Sequence, residues 1–234
     1  PDATDLAALR ADPDWLWRCD CQFHWENRGY RDFEDFLSTF TAEKRKKAKR
    51  ERRRVAEAGI LFKRRFGHEA TPDEIERAWQ LHRRTFLQRG NEPYLNLEAF
   101  RQIAATMGEA LQFTFACLGD EIVAVAVFFV GKDTLYGRYW GSAEEYHSLH
   151  FETCYHQGIE FCIERGLQRF EPGTQGEHKV SRGFAPTFTW SAHRIVEPRF
   201  RAAIADYLAR EKIGVEQYAA GIAEHVPYKQ ELAP

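Results

Sequence analysis

Between Arg169 and Phe184 the chain reads Arg-Phe-Glu-Pro-Gly-Thr-Gln-Gly-Glu-His-Lys-Val-Ser-Arg-Gly-Phe. Six side chains able to exchange protons or hold anions fall within twelve residues: Glu171, Gln175, Glu177, His178, Lys179 and Arg182. Gly173, Gly176 and Gly183 punctuate the stretch, and glycine allows positive φ and close approach of a ligand. His178 titrates nearest neutrality and could take a proton from an amine. Glu177 could orient it, or act itself if its surroundings raise its pKa. Lys179 and Arg182 could hold a phosphate or stabilise an oxyanion. Glu171, at the end of a short apolar entry, is expected to face the same cleft. The competing reading is a solvated polar loop, with Arg182 in a surface ion pair.

Other chemistries find less support. His147, His150, Glu152 and His156 share one helix, but the pairs His147/His150 and Glu152/His156 lie on different faces. Three ligands must converge on a metal, so no metal site is expected. No G-x-S-x-G elbow is present, and Cys154 and Cys162 fall on an apolar stripe, which suits core packing better than nucleophilic attack.

The elements that must position the loop are legible around it. Val123-Ala-Val-Ala-Val-Phe-Phe-Val130 is apolar on both faces and reads as a central strand. With turn signals at Gly119-Asp120 and Gly131-Lys-Asp133, residues 112–118, 122–130 and 134–140 form an antiparallel meander. A helix follows, with Ser148 as its expected cap and Phe151, Cys154, Tyr155, Gly158, Ile159 and Cys162 as its buried stripe. Gly166 ends it. Residues 167–170 make a strand, the loop follows, and 187–195 make another. From 199 onward the pattern is helical, with Phe200, Ile204, Tyr207 and Leu208 on one face.

Upstream, residues 2–11 read as a short helix and 15–25 as a strand, with turn chemistry at 27–30. Residues 33–40 and 41–58 read as helices, with Thr41 as a cap. Residues 60–66 read as a strand. Thr71-Pro-Asp-Glu74 is a helix start with Thr at the N-cap, Pro at N1 and Glu at N3. Another helix is expected over 97–107.

Charge is strongly segregated. The 234 residues carry a net charge of -2, yet nine basic residues sit in the helix 41–58 against only Glu43, Glu51 and Glu57. The remainder holds 24 basic and 32 acidic residues, about -8. Lys46, Lys49, Arg50 and Arg53 on that helix are candidate contacts for a phosphate-rich partner, with a plain solvated face as the alternative. Hydrophobic content of 44%, with 33 aromatic residues, supports a sizeable core. Five cysteines without a C-x-x-C read as reduced thiols in a cytoplasmic protein. No apolar run is long enough to span a bilayer.

The order of meander, helix, strand, loop, strand and helix resembles the second half of the GNAT acyltransferase fold. Particular stretches are closer still to one group within it. Leu135-Tyr-Gly-Arg-Tyr-Trp-Gly141, Leu149-His-Phe-Glu-Thr-Cys-Tyr155, Phe170-Glu-Pro-Gly-Thr-Gln-Gly-Glu-His-Lys179 and Arg182-Gly-Phe resemble the FemAB-like N-acyltransferases of bacteria. Gln22-Phe-His-Trp-Glu-Asn-Arg-Gly-Tyr30 and the basic helix fit the same group, which is associated with peptidoglycan biosynthesis or recognition. The resemblance implies an α/β, GNAT-like fold with a mainly antiparallel central sheet flanked by helices. Members carry two such domains. On that basis 67–234 is expected to be an acyltransferase domain and 1–66 the remnant of, or link to, a first one, the chain being a fragment.

The resemblance also implies acyl or aminoacyl transfer to an amine, with a peptidoglycan precursor as one acceptor. Tyr139, Trp140 and His150 join Gln175, Lys179 and Arg182 as expected substrate contacts, with His178, Glu177 and Glu171 as catalytic groups. Acyl-CoA and aminoacyl-tRNA both stand as donors. CoA-binding members place a glycine-rich loop before the helix to hold the pyrophosphate. Here that place reads Gly141-Ser-Ala-Glu-Glu-Tyr-His147, and two acids oppose a pyrophosphate. The basic helix would suit an RNA backbone. The rival functions are a non-catalytic peptide or glycan recognition module, and an RNA-binding protein that uses the basic helix alone.

Overall fold

The computed structural model describes residues 3–174 and 176–229. One sheet of seven strands runs in the order β2-β3-β4-β5-β6-β1-β7. The strands are β1 (Trp15–Glu26), β2 (Ile60–Phe66), β3 (Leu111–Leu118), β4 (Glu121–Val130), β5 (Thr134–Ser142), β6 (Arg169–Glu171) and β7 (Ala185–Arg194). All pairings are antiparallel except β5 with β6. The expected meander is present with β4 in its middle.

Alternation along β4 explains its doubly apolar sequence. Val125 and Val127 pack under α4 (Pro72–Gln88) and α5 (Leu97–Met107), together with Ile75, Leu81, Phe100 and Phe113. Ala126 and Phe128 face the opposite layer, with Ile159, Cys162, Phe170 and Phe184. Both faces of the sheet are covered, so neither side of the strand can be polar.

The helix expected after Ser148 is a composite. α6 (Leu149–Phe151) passes through a π-helical turn at Glu152–His156 into α7 (Gln157–Arg165). Ser148 does not cap it. Its backbone is left-handed at φ 68, and its hydroxyl bonds His147 Nδ1 at 2.7 Å instead. Gly166 closes α7 at φ 67, a conformation that costs glycine no Cβ clash. At α4 the expected start forms a full capping box. Thr71 accepts from the Glu74 N–H, and the Glu74 carboxylate accepts from the Thr71 N–H. Thr41, by contrast, makes no side-chain cap bond at the start of α3 (Ala42–Glu57).

The first 66 residues contribute to this same sheet. β1 lies between β6 and β7, and β2 forms the edge beside β3. α1 (Ala3–Arg10) precedes β1, and α2 (Phe33–Ser38) buries Phe33, Phe36 and Leu37. α8 (Pro198–Ala223) lies along β1 and β7. Of its expected apolar face, Phe200 and Tyr207 are exposed.

What positions the site is a parting of strands. β5 and β6 pair at Thr134↔Arg169, Leu135↔Phe170 and Tyr136↔Glu171 only. At Gly137 the backbones still touch: a Cβ there would lie 3.0 Å from Pro172 Cα. Beyond it β5 runs on to Ser142 while the other strand leaves as the loop. The β4–β5 register also shifts between Val127 and Phe128, leaving Arg138 as the extra residue of a bulge. A gap therefore opens beside residues 138–140.

Candidate active site

Two cavities adjoin in that gap. The smaller, about 290 Å³, is lined by Gly137, Arg138, Tyr139 and Trp140 of β5, by Pro172, Gly173 and Thr174, and by His150, Cys154 and Tyr155 of the composite helix. The larger, about 1080 Å³, lies between α4 and the 141–151 segment. Arg84, Gln88 and Arg89 form one wall, with Glu144, Glu145 and His147 among the lining residues. Trp140 and His150 line both cavities, with ring centroids 5.2 Å apart.

His150 is an unusual group to find there. Burial, reinforced by the positive charge of neighbours such as Arg182, pushes its pKa down to about 4, so its ring is neutral at pH 7. Within the described residues neither ring nitrogen makes a hydrogen bond; its contacts are with the rings of Trp140, Phe151, Tyr155 and His178. It is an acceptor or donor held in reserve between the two cavities.

Tyr155 stands on the wall of the smaller cavity. Its hydroxyl lies 2.8 Å from His178 Nε2. Burial raises its pKa, so it is a neutral phenol. It lies within the π-helical turn. An extra residue in that turn rotates the helix face, and such turns recur at functional sites.

The remaining expected site residues occupy varied places. His178 is not on either cavity wall. It sits one hydrogen bond behind Tyr155, on the short 3-10 segment Glu177–Arg182. Burial first, and then Arg182 and Lys179, lower its pKa from the ordinary imidazole value. Glu177 is exposed and accepts from Tyr218 OH at 2.9 Å. Lys179 is 2% exposed and donates from Nζ to Gly173 O at 2.7 Å. Burial lowers its pKa to about 8. It thereby braces the residues that close the smaller cavity. Arg182 is also buried, and its terminal nitrogens serve Glu51, Ser181 Oγ and the His178 carbonyl. Glu171 is half-buried, 4.0 Å from His24 Nδ1 and 3.8 Å from Arg169, with a pKa raised by burial. Tyr139, Trp140 and His150 line the cavities as expected. Gln175 lies outside the described residues.

On the basic helix, Lys46 and Arg50 are exposed and make no ion pair within the described residues. Lys49 pairs with Glu34 and Arg53 with Glu57, both at the surface where such pairs are weak. At the far end of α3, Arg54 Nη1 lies 2.9 Å from His147 Nε2, and His147 lines the larger cavity. Arg54 thus connects α3 to a residue of that cavity's wall.

The whole chain, not just the loop, matches one family. Residues 2–230 fit the FemAB-like family, described as peptidoglycan biosynthesis/recognition. The chain belongs to the FemAB-like family. No curated protein matches it. Among solved structures it is similar to three proteins of low identity. One is the C-terminal domain described as that of a lysylphosphatidylglycerol synthetase from Agrobacterium fabrum. It is 14% identical, with 89% of this chain and 70% of that one covered at a TM-score of 0.59. A second is L-PGS from Bacillus licheniformis, 11% identical over 88% of this chain and 70% of that one, TM-score 0.60. The third is FemX, 10% identical over 86% and 70%, TM-score 0.58. The FemAB-like chain therefore has the mixed α/β, GNAT-like fold, with its seven-stranded sheet flanked by helices. No helix among the described residues is long and apolar enough to cross a membrane.

Sequence reasoning missed three parts of the site. Tyr155 is buried on the core stripe, as its spacing indicates, and nothing in the spacing marks that it also lines the smaller cavity. Arg84 and Arg89 lie at the exposed end of α4, with no local motif to mark them. Glu51 was counted only as an acid within a basic helix, although it is buried.

Proposed function

We propose that this protein transfers an acyl or aminoacyl group to an amine, with the donor in the larger cavity and the amine in the smaller. The observation that carries this reading is the pair of cavities meeting at Trp140 and His150. Holding two reactants in a shared geometry accounts for a large part of the acceleration of a bimolecular transfer.

The chemistry follows from the groups at that junction. The amine nitrogen attacks the donor's carbonyl carbon. Its proton passes to the Tyr155 oxygen as the Tyr155 proton passes to Nε2 of neutral His178. Collapse of the tetrahedral species forms the amide and expels the donor's oxygen or sulfur, which takes up a proton. His178 keeps the role of base that its loop suggests, acting through Tyr155. His150 accepts a hydrogen bond from the attacking amine and orients it. Lys179 holds the loop carbonyl of Gly173 against the amine's cavity.

An aminoacyl-tRNA suits the larger cavity better than acyl-CoA. Glu144 and Glu145 repel a pyrophosphate but attract the ammonium of an aminoacyl group, while Arg54 of the basic helix reaches His147 on the same cavity's wall. Family membership favours an amine on a peptidoglycan precursor as acceptor.

The test is a transfer assay with labelled aminoacyl-tRNA and labelled acetyl-CoA offered in parallel to an amine-bearing muramyl peptide. Transfer from aminoacyl-tRNA alone is the expected result. Binding of both substrates without transfer would leave a recognition module instead.

A further inference from the structure

Arg182 lines neither cavity but contacts Phe151 of the larger one and is linked through His178 to Tyr155 of the smaller. Its side chain is 4% exposed. Nη2 donates to Glu51 Oε1 at 2.7 Å, and Nη1 donates to the His178 carbonyl at 2.6 Å and to Ser181 Oγ at 3.2 Å. The guanidinium carbon sits 3.4 Å from the centroid of the Phe151 ring, and Phe151 lines the larger cavity. Through His178 the same group fixes the bond to Tyr155 in the smaller cavity.

Glu51 is the inward-facing acid of the basic helix. It is buried between Ala48 and Val55, while Lys46 and Arg50 point to solvent. Its other oxygen lies 3.9 Å from Nε2 of His156, in the π turn. His156 Nδ1 in turn lies 3.3 Å from Glu152, which receives Arg52 from α3 at 3.1 Å. A chain of close polar contacts therefore joins α3 to the turn that carries Tyr155.

Such a pair is a poor device for stability alone. Desolvating two ions offsets most of their attraction, and apolar residues of similar size commonly serve as well. What apolar residues cannot do is hold a carbonyl and a carboxylate in fixed directions.

We propose that Glu51 and Arg182 are positioning residues, which tie the basic helix to both cavity walls and hold His178 in register with Tyr155. The kinetic part of the test rests on the transfer reading above; the spectroscopic part does not.

The test uses E51Q, E51D and the double variant E51M/R182M, the last chosen because paired apolar replacement preserves folding more often than removal of one charge. In the transfer assay E51Q and E51M/R182M should lower kcat by ten- to a hundredfold, with KM for both substrates within twofold. E51D should recover much of the loss. E51Q combined with H178Q should be no slower than H178Q alone, because residues acting as a unit are non-additive. On the free protein, the side-chain nitrogen resonances of His178 should shift in E51Q. A folded E51M/R182M with wild-type kcat would overturn the proposal. So would a lowered Tm with unchanged kcat and unmoved His178 resonances, which means a structural brace. If the wild type transfers nothing from any donor, the transfer reading fails. The His178 resonances then decide: a shift upholds the positioning role and no shift overturns it.

Discussion

Tyr155 and His178 are joined by a hydrogen bond of 2.8 Å between the phenol oxygen and Nε2. The first residue stands on a cavity wall and the second lies behind it, nearer solvent. In the proposed transfer the pair serves as the outlet through which a proton leaves the cavity. Tyr155→Phe removes the hydroxyl and keeps the ring, so the fold should persist. Transfer should fall by roughly 10²-fold or more, the usual worth of a positioned proton-transfer group. His178→Gln should fall by a similar factor, and the double variant no further. Near-UV circular dichroism checks the fold and the transfer assay checks the rate.

The pH profile follows from the state His178 must hold. Burial and the cations Arg182 and Lys179 depress its pKa, while Tyr155 and the neutral His150 face it without charge. Activity needs the neutral ring. It should therefore be constant through pH 7 and lost as pH falls through a value below 6.5. In H178Q that acid limb should vanish from the residual rate.

Lys179 predicts a stability effect of the same direction at higher pH. Its folded pKa is lowered to about 8 from 10.5, so the unfolded chain binds the proton more tightly. Between these values the unfolded state holds more protons, and stability rises with pH. Below pH 8 the burial penalty is present in full. The melting temperature of the wild type should gain, over pH 8 to 10.5, relative to Lys179→Met. Parallel curves for the two proteins would assign Lys179 an ordinary exposed behaviour.

Gly141 tests the packing that shapes the larger cavity. A Cβ there would fall 2.2 Å from Leu81 C and 2.6 Å from His82 N, both backbone atoms that cannot yield cheaply. Gly141→Ala should destabilise by about 1–3 kcal/mol, the range of overpacking, measured by urea unfolding. Gly221→Ala, with open space around it, serves as control.

The sequence showed most of the scaffold because strong local rules acted there. β4 is apolar on both faces, the turns around it carry glycine, and Thr71 to Glu74 spells a capping box. The site was less legible. Trp140 and His150 were recognised through a family resemblance, not through spacing. The GEHK loop was located, but its side chains turn inward or back. Lys179 and Arg182, which look like free cations in sequence, are drawn into carbonyl and carboxylate contacts that only the tertiary fold supplies. Tyr155 is the buried core residue its spacing indicates, and only the tertiary fold shows that it also lines a cavity and meets His178. Glu51 was masked by nine cations around it.

The polyanion surface has its own test. Lys46→Glu with Arg50→Glu should weaken tRNA binding and flatten its salt dependence, since each lost phosphate contact lowers the slope of log K against log salt by roughly one. Filter binding at several salt concentrations measures this. Unchanged affinity would make the face a solvated one.

The meeting of two substrates at Trp140 and His150 is tested most directly by a crystal structure with a bisubstrate analogue. The analogue would join an aminoacyl-adenosine to a lysine-type amine through a stable amide. The account predicts the adenosine end in the cavity of Arg84 and Arg89, and the amine end beside Tyr139 and Gly173. The amide should lie within hydrogen-bonding reach, ~3 Å, of both His150 and Tyr155. An analogue bound with its amide away from these two residues, while still inhibiting transfer, would contradict it.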